Sequence, residues 1–199
     1  MFATRLSIGV FIFLIPALAA QVQTLPDNAA KHNWNFAIWV AAATGEENHD
    51  SFSEAQIWTA GVHVGRTVLH QVGTSWTKGS IEYGFDLIPI LLTSNTQRTL
   101  GGGFEPIVVR WNSTHHFRGF TPYVELAGGG VFTRANLPVG NTSNFNFSVR
   151  GGGGFYILQR GTQTVDVSCR WWHISNANLG VQNPEFNGIQ IGFAYHWLK

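Results

Sequence analysis

Three observations predict an all-β fold, an eight-stranded antiparallel transmembrane β-barrel of up-and-down meander topology with a polar interior. Charged residues make up 12% of the 199-residue chain, about half the roughly 25% usual in soluble domains. Glycine (23), phenylalanine (15) and tryptophan (8) are abundant, and long helix-forming runs are few, a composition of strands and interfacial aromatics. Eight segments of strand character can be marked, at 33–43, 57–68, 77–90, 101–112, 119–132, 145–157, 162–174 and 187–198, and several of them alternate apolar and polar residues with the period of a strand.

Ahead of the barrel, Arg5 precedes the apolar run Ile8 to Leu18 and the small-residue end Ala17-Leu18-Ala19-Ala20. That is the layout of a secretory signal peptide, expected over residues 1–20. Residues 21–32 are expected to form an N-terminal periplasmic segment and residues 33–199 the barrel. No later stretch reaches the ~18 uninterrupted apolar residues that a spanning helix needs. The single cysteine, Cys169, cannot close an internal disulfide, so an exported chain of this kind relies on backbone pairing and packing.

The alternation separates two faces. Ile81, Tyr83, Phe85 and Leu87 oppose Lys78, Ser80, Glu82 and Asp86; Phe145, Phe147 and Val149 oppose Asn144, Asn146, Ser148 and Arg150. Phe120, Pro122, Val124 and Leu126 stand against Thr121, Tyr123 and Glu125, and Ile189, Ile191, Phe193, Tyr195 and Trp197 against Gln190 and His196. A soluble barrel turns its oily face inward around a ligand, a membrane barrel outward to lipid. Glu82, Asp86, Glu125, Arg150, Asp166 and Arg170 carry mixed signs at mid-strand, which suits a small lumen filled by ion pairs and favours the membrane barrel. The terminal run Phe193-Ala194-Tyr195-His196-Trp197 adds interfacial anchors. A lipocalin-like soluble barrel is the rival architecture.

The gaps between segments alternate long (44–56, 91–100, 133–144, 175–186) and short (69–76, 113–118, 158–161). Long extracellular loops and short periplasmic turns give that pattern, with both termini in the periplasm. The glycine groups 101–103, 128–130 and 151–154 lie inside strand patterns, and none opens a helix with a following Lys-Ser/Thr, so they read as sites of curvature and close packing rather than phosphate loops. His115-His116 lacks accompanying ligands and reads as a solvated turn. A net charge of +1 without a Lys/Arg cluster excludes a nucleic-acid partner.

The stretch Arg170-Trp171-Trp172-His173-Ile174-Ser175-Asn176-Ala177 carries the chemistry. Val165, Val167, Cys169 and Trp171 form one row and Asp166, Ser168, Arg170 and Trp172 the other; His173 and Ser175 continue the oily row. A base and a hydroxyl on a lipid-facing row need a reason. Serine requires a base in reach and a third group to orient that base, and positions i and i+2 lie about 6.6 Å apart along a strand. If the next connection is a hairpin centred near Gly180, position 173 faces Asn187, the candidate orienter. Asn176 and the backbone N–H groups after Ser175, Ala177 among them, are candidate oxyanion donors. Glu185, two residues before Asn187, is the alternative orienter. As interfacial polar residues at a strand end, His173 and Ser175 would instead simply bind loop backbone or headgroups.

His173-Ile174-Ser175-Asn176-Ala177 and the spacing from Asn183-Pro184 to Asn187 resemble the outer-membrane lipid A 3-O-deacylases of the PagL type. The resemblance is motif-level over residues 170–198 and architectural before that. It implies a serine esterase, with Ser175 as nucleophile and His173 as base, that hydrolyses the 3-position acyl ester of lipid A in the outer leaflet of the bacterial outer membrane. The position of the family's glutamate is occupied here by Asn187. No metal and no cofactor is implied; the expected partners are lipid A or lipopolysaccharide and the surrounding outer-membrane lipids, and a homodimer is left open. The alternatives are a non-catalytic small outer-membrane barrel with an adhesion or envelope-structural role, and a soluble lipid carrier.

Overall fold

Inside a bilayer no water is at hand to satisfy backbone N–H and C=O groups, so a chain that spans with strands has to close on itself. In the computed structural model, which describes residues 32–45, 55–94, 98–137 and 142–199, it does. Strands β1 (Trp34–Gly45), β2 (Gln56–Val72), β3 (Gly79–Ser94), β4 (Thr99–Ser113), β5 (Thr121–Leu137), β6 (Ser143–Arg160), β7 (Gln163–Ser175) and β8 (Phe186–Leu198) follow one another around a closed barrel. All neighbours are antiparallel, and β8 returns to pair with β1 from Asn35↔Leu198 to Gly45↔Gly188. A single 3-10 turn, Ser75–Thr77, joins β2 to β3. The expected signal peptide (1–20), nearly all of the segment 21–32 and most of the first long loop lie outside the described residues.

The oily rows face outward and the polar rows fill the lumen. Ile38, Val40, Tyr83, Phe85, Val124, Leu126, Ile191 and Phe193 are exposed, whereas Glu82, Asp86, Glu105, Arg110, Glu125, Arg150, Asp166, Arg170 and His196 are buried. A charge taken out of water is costly unless it is paired, and the lumen pairs its charges across strands far apart in sequence. His63 lies between Glu82 (2.9 Å) and Asp86 (2.6 Å). Arg150 binds Asp86 (2.7 Å) and Glu105, Arg110 binds Glu125, Arg170 reaches Glu125 at 2.9 Å, and His196 meets Asp166 at 2.7 Å.

The lumen is not polar throughout. Near the ends of β1, β3, β5 and β7 and the starts of β2 and β8, Ala43, Ala55, Ile57, Leu91, Val131, Trp172, Ile174 and Phe186 form a buried apolar plug. Trp172, placed by sequence in the polar row, is fully buried; its ring meets Phe186 edge-on at 5.8 Å and its Nε1 donates to Ser148 Oγ at 2.8 Å. The opposite end carries aromatics outside, with Tyr195 against Trp197 at 4.6 Å and Arg66 over the Trp34 ring at 5.5 Å. The glycine groups sit inside β4, β5 and β6. A Cβ at Gly129 would meet the Phe104 carbonyl oxygen at 2.0 Å, and glycine is what allows so close a backbone approach.

One expectation is corrected. The alternation of gap lengths does not hold in the middle of the chain, because β3, β5 and β6 run past their expected ends: β3 and β4 are joined by 95–98 and β5 and β6 by 138–142, while the supposedly short link is 114–120. Pro89 lies in the register shift between Ile88 and Leu91, where a missing N–H breaks no ladder bond, so the strand resumes beyond it. Even-numbered closure still puts 46–55, 95–98, 138–142 and 176–185 at one end and both barrel termini at the other.

Candidate functional site

The apolar plug fixes the strand end that carries the candidate residues. Trp172 and Ile174 point inward and are buried against Phe186 of β8, so period-two geometry turns His173 and Ser175 outward from the same backbone. The β7–β8 register sets His173 opposite Asn187. The β6–β7 register sets Val149 opposite His173 and Phe147 opposite Ser175, which places apolar walls on the side away from β8.

Three side chains then form one directional chain. His173 Nε2 lies 3.1 Å from Ser175 Oγ, and His173 Nδ1 lies 2.8 Å from Asn187 Oδ1. A carboxamide oxygen only accepts, so that contact calls for the proton on Nδ1 and leaves the Nε2 lone pair facing the hydroxyl. This is the tautomer a general base needs. Glu185 stands behind Asn187: Asn187 Nδ2 donates to Glu185 Oε2 at 3.4 Å, while the same oxygen is 4.0 Å from His173 Nδ1. The His173 side chain retains 22% of its exposure and that of Glu185 44%. The group is thus open enough for substrate and partly shielded from water.

Asn176 and Ala177 are placed differently from each other. Asn176 is buried; its backbone N–H donates to Asn183 Oδ1 and its side-chain Nδ2 to the Gln182 carbonyl, both at 2.8 Å. Its donors therefore tie the β7–β8 loop together instead of facing a substrate. Leu179 N donates to Asn176 O at 3.0 Å, closing a tight turn in which Ala177 (φ 51°) and Asn178 (φ 62°) are both left-handed. Asparagine tolerates that region, whereas for alanine it is strained by about 1–2 kcal/mol. The Ala177 N–H makes no backbone hydrogen bond among the described residues.

Sequence reasoning missed Trp171 as part of the site. Its ring stacks on the His173 imidazole with centroids 5.6 Å apart and planes 16° apart, so it holds the base in plane and offers a π face to an imidazolium. Its position two residues before His173 on the same row was the available signal. His115 and His116 do not join the site. They lie in the β4–β5 link, His115 bonding Ser75 O at 2.7 Å and His116 bonding Thr121 Oγ1 at 2.6 Å. Among the described residues no group of three or more His, Cys, Asp or Glu is arranged to hold a metal ion.

Comparisons with known proteins bear on the family and the fold. The sequence model of a family described as lipid A 3-O-deacylase (PagL) matches residues 41–196. Among solved structures, the crystal structure of the outer membrane enzyme PagL superposes with a TM-score of 0.58 at 15% identity, covering 80% of this chain and 97% of that one; at that identity the likeness shows a shared fold. The solid-state NMR structure of the outer membrane protein AlkL in DMPC lipid bilayers aligns with a TM-score of 0.41 at 10% identity, over 84% of this chain and 90% of that one. No curated protein matches the sequence.

Proposed function

Since the chain belongs to the lipid A 3-O-deacylase (PagL) family, we propose that it is itself a serine esterase that removes the 3-position acyl chain of lipid A in the outer leaflet of the bacterial outer membrane. The observation that carries this reading is the outward-facing relay of Ser175 Oγ, His173 Nε2 and Nδ1, and Asn187 Oδ1, at 3.1 and 2.8 Å. On export residues 1–20 are removed, 21–32 lie in the periplasm, and the barrel end bearing 46–55, 95–98, 138–142 and 176–185 faces outward.

As Ser175 Oγ attacks the ester carbonyl carbon, His173 Nε2 accepts its proton and the carbonyl oxygen takes the negative charge. We assign the Ala177 N–H to that oxyanion, with Asn176 holding the turn that presents it. Collapse of the tetrahedral species breaks the bond to the sugar oxygen, which leaves with the proton from His173. An acyl-Ser175 ester remains. Water, deprotonated by the same imidazole, then attacks the acyl carbon; the bond to Ser175 Oγ breaks, His173 returns the proton to that oxygen, and the fatty acid leaves. Val149 and Phe147 beside the pair suit an acyl chain entering from lipid.

Purified protein incubated with lipid A should release a 3-hydroxy fatty acid, detected by mass spectrometry, and the Ser175→Ala protein should not. Release that persists in Ser175→Ala would overturn the serine mechanism; none from the folded natural protein would favour a non-catalytic envelope barrel. One observation speaks for that second reading. Asn187 is uncharged, and it stands where the family's acid is expected.

A further inference from the structure

We infer that Glu185 is a positioning residue which acts through Asn187, locking the carboxamide in its productive orientation and supplying the negative charge that the carboxamide lacks. The inference rests on the esterase reading above for its chemistry and on the geometry for its placement.

An asparagine is an ambiguous orienter. Its oxygen and nitrogen ends are nearly the same shape. With Oδ1 toward His173, Nδ1 holds a proton and Nε2 can accept one from Ser175. With Nδ2 toward His173, Nδ1 becomes the acceptor, the proton moves to Nε2, and the base can no longer accept from the hydroxyl. Nothing in the His173–Asn187 pair alone distinguishes these states. Glu185 does, because an ionised carboxylate only accepts. Its Oε2, 3.4 Å from Asn187 Nδ2, takes the nitrogen end of the amide and turns the oxygen toward the base. The same carboxylate oxygen is 4.0 Å from Nδ1, near enough to favour the imidazolium that forms as Ser175 attacks.

Glu185 is anchored. The segment leading to it is held by two bonds from Asn176, to Gln182 and Asn183, and Asn176 directly follows the nucleophile. The loop that ends in Glu185 is thus tied to the strand end that carries Ser175, and the carboxylate is brought to the base by the Asn187 bond.

The test uses the full protein and two readouts, lipid A turnover and the rate at which a fluorophosphonate probe modifies Ser175. In the second, the serine oxygen bonds to phosphorus, fluoride leaves and His173 takes the proton, so it reports serine activation without any demand on lipid recognition. Glu185→Gln should lower kcat on lipid A and the probe rate by about 10- to 100-fold with KM within two-fold, and Glu185→Asp should recover part of the loss. In an Asn187→Glu background the carboxylate sits directly on the base, so adding Glu185→Gln should change either rate by less than two-fold. An equal loss from Glu185→Gln in both backgrounds, or no loss in the natural one, overturns the inference. If the natural protein leaves lipid A intact while the probe rate still depends on Glu185, the substrate reading fails and the inference stands. If the probe modifies Ser175 in no variant, both fall.

Discussion

The two rows of β7 use polar residues in opposite ways. On the inner row Asp166 is matched by His196 at 2.7 Å and Arg170 by Glu125 at 2.9 Å, and both are buried. Asp166 has an imidazole for a partner and Arg170 a carboxylate, and both pairs are shut away from solvent, out of a substrate's reach. On the outer row, among Val165, Val167 and Trp171, His173 and Ser175 join Asn187 in a line that runs in one direction, from the amide oxygen through the imidazole to a hydroxyl. Polar groups that cancel hold a barrel together; polar groups aligned toward an accessible oxygen can do chemistry.

The sharpest break of that contrast is at the outer row. Ser175→Ala and His173→Ala should each lower lipid A cleavage by about 10⁴-fold or more, yet leave the heat-induced shift of the folded barrel in gel electrophoresis where it was, because neither side chain touches the lumen network. The lumen network to which that inner row belongs should respond the other way round. Arg150→Met strips Asp86 and Glu105 of their shared partner and should cost about 3–5 kcal/mol of stability, read as a lower denaturant midpoint in detergent, while turnover per folded molecule changes little.

Smaller effects sharpen the comparison within the outer row. Asn187→Leu removes the acceptor for Nδ1 and should lower kcat about 100-fold at constant KM, whereas Asn187→Glu should raise kcat, since a carboxylate adds charge where the amide offers only a dipole. Trp171→Leu removes the stacked ring. With about 0.5–1 kcal/mol for an exposed cation–π contact, steady-state kinetics should show a two- to five-fold fall in kcat and no change in folding.

Much of this was legible because strands have a period of two. Counting outward from Gly180 sets His173 against Asn187, and the structure has that register; the oily and polar rows of β3, β6 and β8 fall as their alternation says. The partners inside the lumen were not legible. Arg150 and Asp86 meet across the barrel although they are far apart in the chain, and only the closed geometry brings such positions together. Glu105 and Arg110 went unremarked for a related reason: the register shifts between them, from Phe104 to Ile107, and such a shift breaks the alternation that identifies an inward residue. The role of Asn176 was hidden as well, since it depends on where the loop brings Gln182 and Asn183 back.

The filled lumen has a consequence for the cell's permeability. Arg150 and Glu105 in the middle, with Trp172, Phe186 and Leu91 closing one end, occupy the axis along which ions would have to travel, and their side chains are almost wholly inaccessible to solvent. A barrel filled in this way should carry no measurable ionic current in a planar bilayer, so that many copies could sit in a membrane without short-circuiting it.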